Sequence, residues 1–244
     1  MRVLVAKKPE DIPEAAIDGK PTYGYWNIIG LAEPARLALV AAGVDSVDIR
    51  VDPGDMAAGT YRQTWLEAKK GLYDVLNFPN LPFYFDDKVA LTQSDAILRH
   101  LGRKYDLMGD AGQEHITDLA LDEVKDYESS LAAASYGQGP DAVAAWYENM
   151  PPKIAAWKTL LGTKEYLTGS KVSVADFKLY TFLCKLNAIH EQLSDRGLSP
   201  PPKSIAELDA YMKRIENIPA IKTYMESEDY MKRPLNNPSA KFNN

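Results

Sequence analysis

The chain predicts a mixed α/β domain followed by an all-helical one. Strand and helix signals alternate as βαβ and then ββα over the first hundred residues. Strand signals stop after Gly109, and beyond it apolar residues recur at helical spacing between Gly and Pro breaks. A length of 244 residues suffices for two small domains with a sizeable core.

Residues 1–20 are punctuated by Pro9, Pro13 and Gly19 and rich in charge, so they read as an appendage. Thr22 to Ile28 is aromatic and β-branched, as a buried strand should be. Glu33 to Ala42 has helical spacing with Pro34 in its first turn. Val47 to Val51 is a second strand, and Thr60 to Lys70 reads as a short helix or irregular segment. Asn80 to Phe85 enters a strand through Pro82; Asp86-Asp87 turns it, and Lys88 to Leu91 returns as a hairpin arm. A helix then opens at Thr92-Gln93-Ser94-Asp95, capped by Ser or Asp, and runs to about Tyr105. This order is a thioredoxin-like arrangement, a small mixed sheet flanked by helices.

Helical spacing continues over 113–135, 140–161, 173–190 and 204–216, with Pro151-Pro152 kinking or restarting the second segment. Ser173-Val174-Ala175-Asp176 has the form of a capping box, read here as a helix start and nothing more. The expected units are therefore 1–20, 21–105 and 106–244.

A formal charge of −6 and only isolated basic pairs argue against nucleic-acid binding. The single cysteine, Cys184, excludes an internal disulfide framework and a multi-thiolate metal site, and it sits in an apolar helical run as a packed residue. No stretch approaches the ~20 apolar residues of a membrane span, and the start lacks a secretory pattern, so the cytosol is the expected address. His100, His115 and His190 lack metal-ligand spacing and read as structural or surface residues.

Three places could carry chemistry together. Tyr25, beside Trp26, lies at the end of the first strand, next to the turn into the first helix; alone it reads as a core aromatic, and the groups around it shift that reading. Leu81-Pro82 would offer its backbone to an extended peptide if the bond were cis, although an ordinary trans proline is the commoner case. Gln93-Ser94 heads a helix whose N–H groups suit a carboxylate, or serves as a routine cap. As a set they describe a pocket for a short extended anionic peptide with a tyrosine hydroxyl at its centre.

At these residues, from about Thr22 to Pro234, the chain resembles the cytosolic glutathione transferases, closest to the mu class. The resemblance rests on Gly24-Tyr25-Trp26-Asn27-Ile28, Gly30-Leu31-Ala32-Glu33-Pro34 with Arg36-Leu37, Gly54-Asp55, Arg62, and Trp65-Leu66. It continues through Phe78-Pro79-Asn80-Leu81-Pro82, Thr92-Gln93-Ser94 with Ala96-Ile97-Leu98, Tyr224-Met225 and Arg233-Pro234. Ile29 departs from the arginine usual in that class, and two extra residues lie between Lys69 and Phe78.

The resemblance implies a glutathione-binding domain followed by a helical domain that forms a hydrophobic-substrate site. Tyr25 would hydrogen-bond the glutathione sulfur, with Trp26 and Leu31 lining the pocket. Trp65 and Lys69 would hold the glycyl carboxylate with Arg62 near, Asn80 and Leu81 the middle of the peptide, and Gln93 and Ser94 the γ-glutamyl end. Asp126 would reach the glutathione of a partner subunit in a homodimer, and Tyr136 would line the hydrophobic site with Leu31. Glutathione would be a co-substrate, with no cofactor or metal. A ligand carrier or structural protein on the same fold, or a glutathione-dependent isomerase, is the alternative.

Overall fold

The computed structural model describes residues 1–198, 204–230 and 234–242; Arg233, one of the matched residues, lies outside them. Five strands form one sheet: β1 (Arg2–Ala6), β2 (Thr22–Trp26), β3 (Val47–Val51), β4 (Phe83–Phe85) and β5 (Ala90–Thr92). Their spatial order is β1-β3-β2-β4-β5. β3 runs parallel to β1 and β2, whereas β4 pairs antiparallel with β2 and β5.

The first twenty residues are therefore not an appendage throughout. Arg2–Ala6 adds an edge strand, in register with Val47–Val51. Its apolar run is only four residues long, and the prolines and charges that follow it dominate the sequence signal.

Helix α1 (Glu33–Ala41) crosses between β2 and β3, with Pro34 in its first turn, where a missing N–H costs nothing. Between β3 and β4 lies the short α2 (Gln63–Ala68). α3 (Ser94–Lys104) starts without the expected Ser or Asp cap: the cap position is Gln93, and no side chain caps the helix there.

The helical part holds α4 (Glu114–Ala133), α5 (Pro140–Glu148), α6 (Met150–Leu161), α7 (Val174–Asp195), α8 (Asp209–Glu216) and α9 (Pro219–Met225). Pro151 and Pro152 fall in the first turn of α6, so the chain restarts there as their chemistry requires. α9 was not among the expected helices. α4 ends in a π-helical turn, Ala134–Gln138, which carries Tyr136.

α7 is the axis of the molecule, buried along most of its length and packed on α4 and on α1. Its capping box forms: Asp176 Oδ2 accepts from the Ser173 N–H at 2.8 Å, and the Asp176 N–H returns to Ser173 Oγ. The same fully buried carboxylate accepts at Oδ1 from the Leu167 N–H and the Tyr211 hydroxyl, both at 2.9 Å. Burial raises its pKa and these donors oppose the shift. Asp176→Ala strands four buried donors at once, the Ser173 hydroxyl included, so we expect a loss of about 3 kcal/mol or more. Urea denaturation measures it, and a loss below about 1 kcal/mol contradicts the assigned role.

Candidate active site

Sheet register brings the separated motifs together. Gly24 pairs with Phe83, and Phe83 with Thr92. One residue beyond each pair stand Tyr25, Pro82 and Gln93, so three segments far apart in sequence meet at one sheet edge. The Leu81-Pro82 peptide bond is cis, not the trans form that is commoner for such bonds. The Leu81 N–H donates to Asn80 Oδ1 at 2.9 Å, so it is not free for a peptide unless that bond is given up.

Backbone strain also marks this edge. Among the described residues the non-glycine positions with left-handed φ are Asp18, Asp106, Arg62 (64°) and Gln93 (73°). Aspartate tolerates such turns, but Arg and Gln adopt them at a cost that the surrounding structure must hold in place. Both lie at expected ligand positions. Gln93 places Ser94 and the uncapped first turn of α3 beside the cleft.

The cleft is a cavity of about 270 Å³ between the sheet edge and the helices, lined by Tyr25, Leu31, Gln93, Ser94 and Tyr136 among others. Other expected residues stand outside its lining. Trp26 is buried with the Arg62 guanidinium 5.8 Å over its ring, and Trp65 is buried and stacked on Phe83. Lys69 is half-buried at the end of α2, Asn80 is exposed, and Asp126 is exposed on α4. Cys184 is half-buried in the wall of a neighbouring cavity, where desolvation pushes its thiol up to about 12 and disfavours the thiolate.

Tyr25 is 7 % exposed. Burial raises its hydroxyl pKa well above the ordinary phenol value, and a hydrogen bond from the Leu31 N–H only partly offsets this. The hydroxyl is thus neutral at physiological pH and keeps its proton for donation. Gly30 makes room for it: a Cβ there would lie 2.7 Å from the Tyr25 oxygen, and its φ of +42° already disfavours a side chain.

This arrangement agrees with two family matches. Residues 21–103 match the glutathione S-transferase N-terminal domain, and residues 125–228 match the glutathione S-transferase C-terminal domain. The chain belongs to the glutathione S-transferase family. A glutathione S-transferase of Dermatophagoides pteronyssinus is 32 % identical over 226 residues, covering 92 % of this chain and 97 % of the relative. A mu-class isozyme of Fasciola hepatica is 34 % identical, covering 90 % and 94 %, and the human Mu 3 enzyme 32 %, covering 91 % and 94 %. Among solved structures, the glutathione S-transferase Blo t 8 superposes with a TM-score of 0.72 at 24 % identity, covering 90 % of this chain and 98 % of that one. An Onchocerca volvulus pi-class enzyme gives 0.67 at 26 %, covering 91 % and 99 %. The chain is a glutathione transferase, and its relatives include mu-class members.

Sequence reasoning missed part of this transferase's cleft. Residues 234–242 cross it as a strap. The Ile29 and Gly30 N–H groups donate to the carbonyls of Pro234 and Leu235, and the Asn237 N–H donates to the Tyr136 hydroxyl at 2.9 Å. Further along, Tyr61 bonds Ser239, and the Phe242 N–H reaches the Ser135 carbonyl. Also missed were Lys125, Glu128 and Lys185, charged groups on α4 and α7 that line the same cavity. Apolar spacing marks a helix face but does not reveal which polar side chains turn inward.

Gly30→Ala drives a methyl into the Tyr25 hydroxyl. We expect kcat/KM for conjugation to fall by at least about tenfold, since misplacement by an ångström costs about a hundredfold. Circular dichroism should be unchanged; full activity in this variant contradicts the tight fit.

Proposed function

We propose that this transferase conjugates glutathione to hydrophobic electrophiles, with the Tyr25 hydroxyl donating a hydrogen bond to the glutathione thiolate. The neutral, buried Tyr25 beside the Leu31 N–H is the observation that carries this reading. A free thiol with pKa about 8.5 is only a few per cent thiolate at pH 7. Lowering that pKa by about two units requires about 2.7 kcal/mol, and one hydrogen bond to a charged acceptor supplies about 1.5–3 kcal/mol. The entry to α1 adds partial positive charge near the sulfur.

In this reading Gln93, Ser94 and the uncapped start of α3 bind the γ-glutamyl end. Arg62, Trp65 and Lys69 hold the glycyl end, with Trp26 packed behind them. Asn80 and the Leu81 backbone hold the middle, and Leu31 and Tyr136 form the apolar side. Glutathione is the co-substrate and the chemistry needs no other group. A ligand-carrier role gives the buried neutral hydroxyl no task, and an isomerase uses the same thiolate on another substrate. We place the activity in the cytosol, where thiols stay reduced; cell fractionation tests that address.

The active form is a homodimer in this proposal. Leu66, Tyr73, Val75 and Phe78 expose apolar surface within thirteen residues, Phe78 to 76 %. Such a patch suits a second copy. Asp126, exposed on α4, would then reach the partner's glutathione.

Tyr25→Phe should lower kcat/KM with 1-chloro-2,4-dinitrobenzene by about tenfold to a hundredfold, the value of one charged hydrogen bond. Its pH profile should move to higher pH by about one to two units, because the titrating group is then a less stabilised thiol. Binding to immobilised glutathione should persist. An unmoved profile with unchanged turnover removes Tyr25 from the mechanism. For assembly, Phe78→Asp should convert a dimer to a monomer in light scattering, and a monomeric wild type rejects the shared site.

A further inference from the structure

Four buried charges form a chain from the start of α3 to the cleft. Asp95 Oδ1 pairs with Lys178 Nζ, which lies 3.7 Å from Glu128 Oε2. Glu128 Oε1 in turn accepts from Lys185 Nζ at 2.5 Å. All four side chains are 8 % exposed or less. The last cation, Lys185, lines both the Tyr25 cavity and a neighbouring cavity of about 480 Å³.

In the lining of the Tyr25 cavity two cations, Lys185 and Lys125, face one carboxylate, Glu128, whereas Glu33, Glu191 and Glu216 make the neighbouring cavity acidic. Glu128 pairs closely with Lys185 and stands 3.7 Å from Lys178, whose own close partner is Asp95. An ammonium has three N–H donors, and Glu128 is the partner seen for one of them. Lys125 adds a second cation to the lining. An apolar side chain would fill this wall at no greater cost to stability. In a partly desolvated cavity the attraction for an anion is stronger than in water.

We infer that Lys185 selects electrophiles that carry a carboxylate, holding the acid group at the wall of the cavity while the reactive carbon faces the sulfur. This rests on the proposed transferase chemistry of the same cleft. With 4-chloro-3-nitrobenzoate, the thiolate sulfur bonds to the ring carbon that bears chlorine, and chloride leaves with the C–Cl electron pair. The carboxylate is a spectator bound by Lys185.

The test compares kcat/KM for 4-chloro-3-nitrobenzoate and its methyl ester, each divided by its uncatalysed rate with glutathione. Wild type should favour the acid, and Lys185→Met should lower the acid-to-ester ratio by about tenfold, as expected for one charged hydrogen bond. Lys185→Arg should retain most of the preference. A purely structural role moves both substrates alike and leaves the ratio unchanged. An unmoved ratio with good turnover of both overturns this inference alone. Failure of wild type to conjugate the ester or 1-chloro-2,4-dinitrobenzene overturns the transferase chemistry and this inference with it. Should Lys185→Met not fold, inhibition of wild-type ester turnover by 3-nitrobenzoate and 3-nitrobenzamide replaces it. The acid should inhibit about tenfold more strongly, and equal inhibition overturns the proposal.

Discussion

The guanidinium of Arg36 fixes the geometry on which the cleft depends. It is fully buried in α1, with Nε donating to Asp48 of β3 at 2.9 Å and a second nitrogen to Glu33 at 3.2 Å and to the Ile28 carbonyl at 3.4 Å. Asp48 also accepts from Arg50, whose own fork reaches the Asp229 carbonyl, and Glu33 accepts from the Tyr224 hydroxyl of α9. One planar cation thereby ties the loop after β2 to α1, the sheet and the last helix. Such a cluster is poor evidence for stability, because desolvating it costs as much as the pairing returns. Its consequence is positional: the Ile28 carbonyl is held two residues before Gly30, so the turn beneath Tyr25 has little freedom.

The strap depends on that turn. Its carbonyls at Pro234 and Leu235 find the Ile29 and Gly30 N–H groups only because the loop presents them outward. From there the strap reaches Tyr136 and Ser135, closing the cleft from the helical side. The Tyr136 hydroxyl accepts from the Asn237 N–H. The two walls are thus linked by backbone hydrogen bonds at Ile29, Gly30 and Ser135 and by the side-chain hydroxyl of Tyr136.

Legibility in the sequence follows this division. The sheet half was readable because its groups are local: Tyr25 ends a strand, Leu81-Pro82 enters one, and Gln93-Ser94 starts a helix. Each has a signature, and the resemblance implies a common purpose. What failed to show was the conformation at each place. The cis bond at Leu81, the left-handed turn at Gln93 and the Asn80 side chain on the Leu81 N–H are set by tertiary packing. Edge strand β1 was lost because a four-residue apolar run cannot outweigh the breakers behind it. The helical wall was least legible, since Lys125, Glu128 and Lys185 come from two helices some sixty residues apart, and only the packing of α4 on α7 brings them into one cavity.

That wall has an electrostatic requirement of its own. A carboxylate at Glu128 raises the Tyr25 hydroxyl pKa, a sign that its field reaches the Tyr25 oxygen. The same field would disfavour a thiolate beside Tyr25, since like charges in a partly desolvated cavity repel. Lys178 and Lys185 on either side of Glu128 offset that field, Lys185 from the cavity side. A negative sulfur and a negative substrate can therefore occupy one cavity only if the ammonium group stands between Glu128 and the acid. On the proposed chemistry, the charge that suits the wall to an acidic electrophile also shields the thiolate that attacks it.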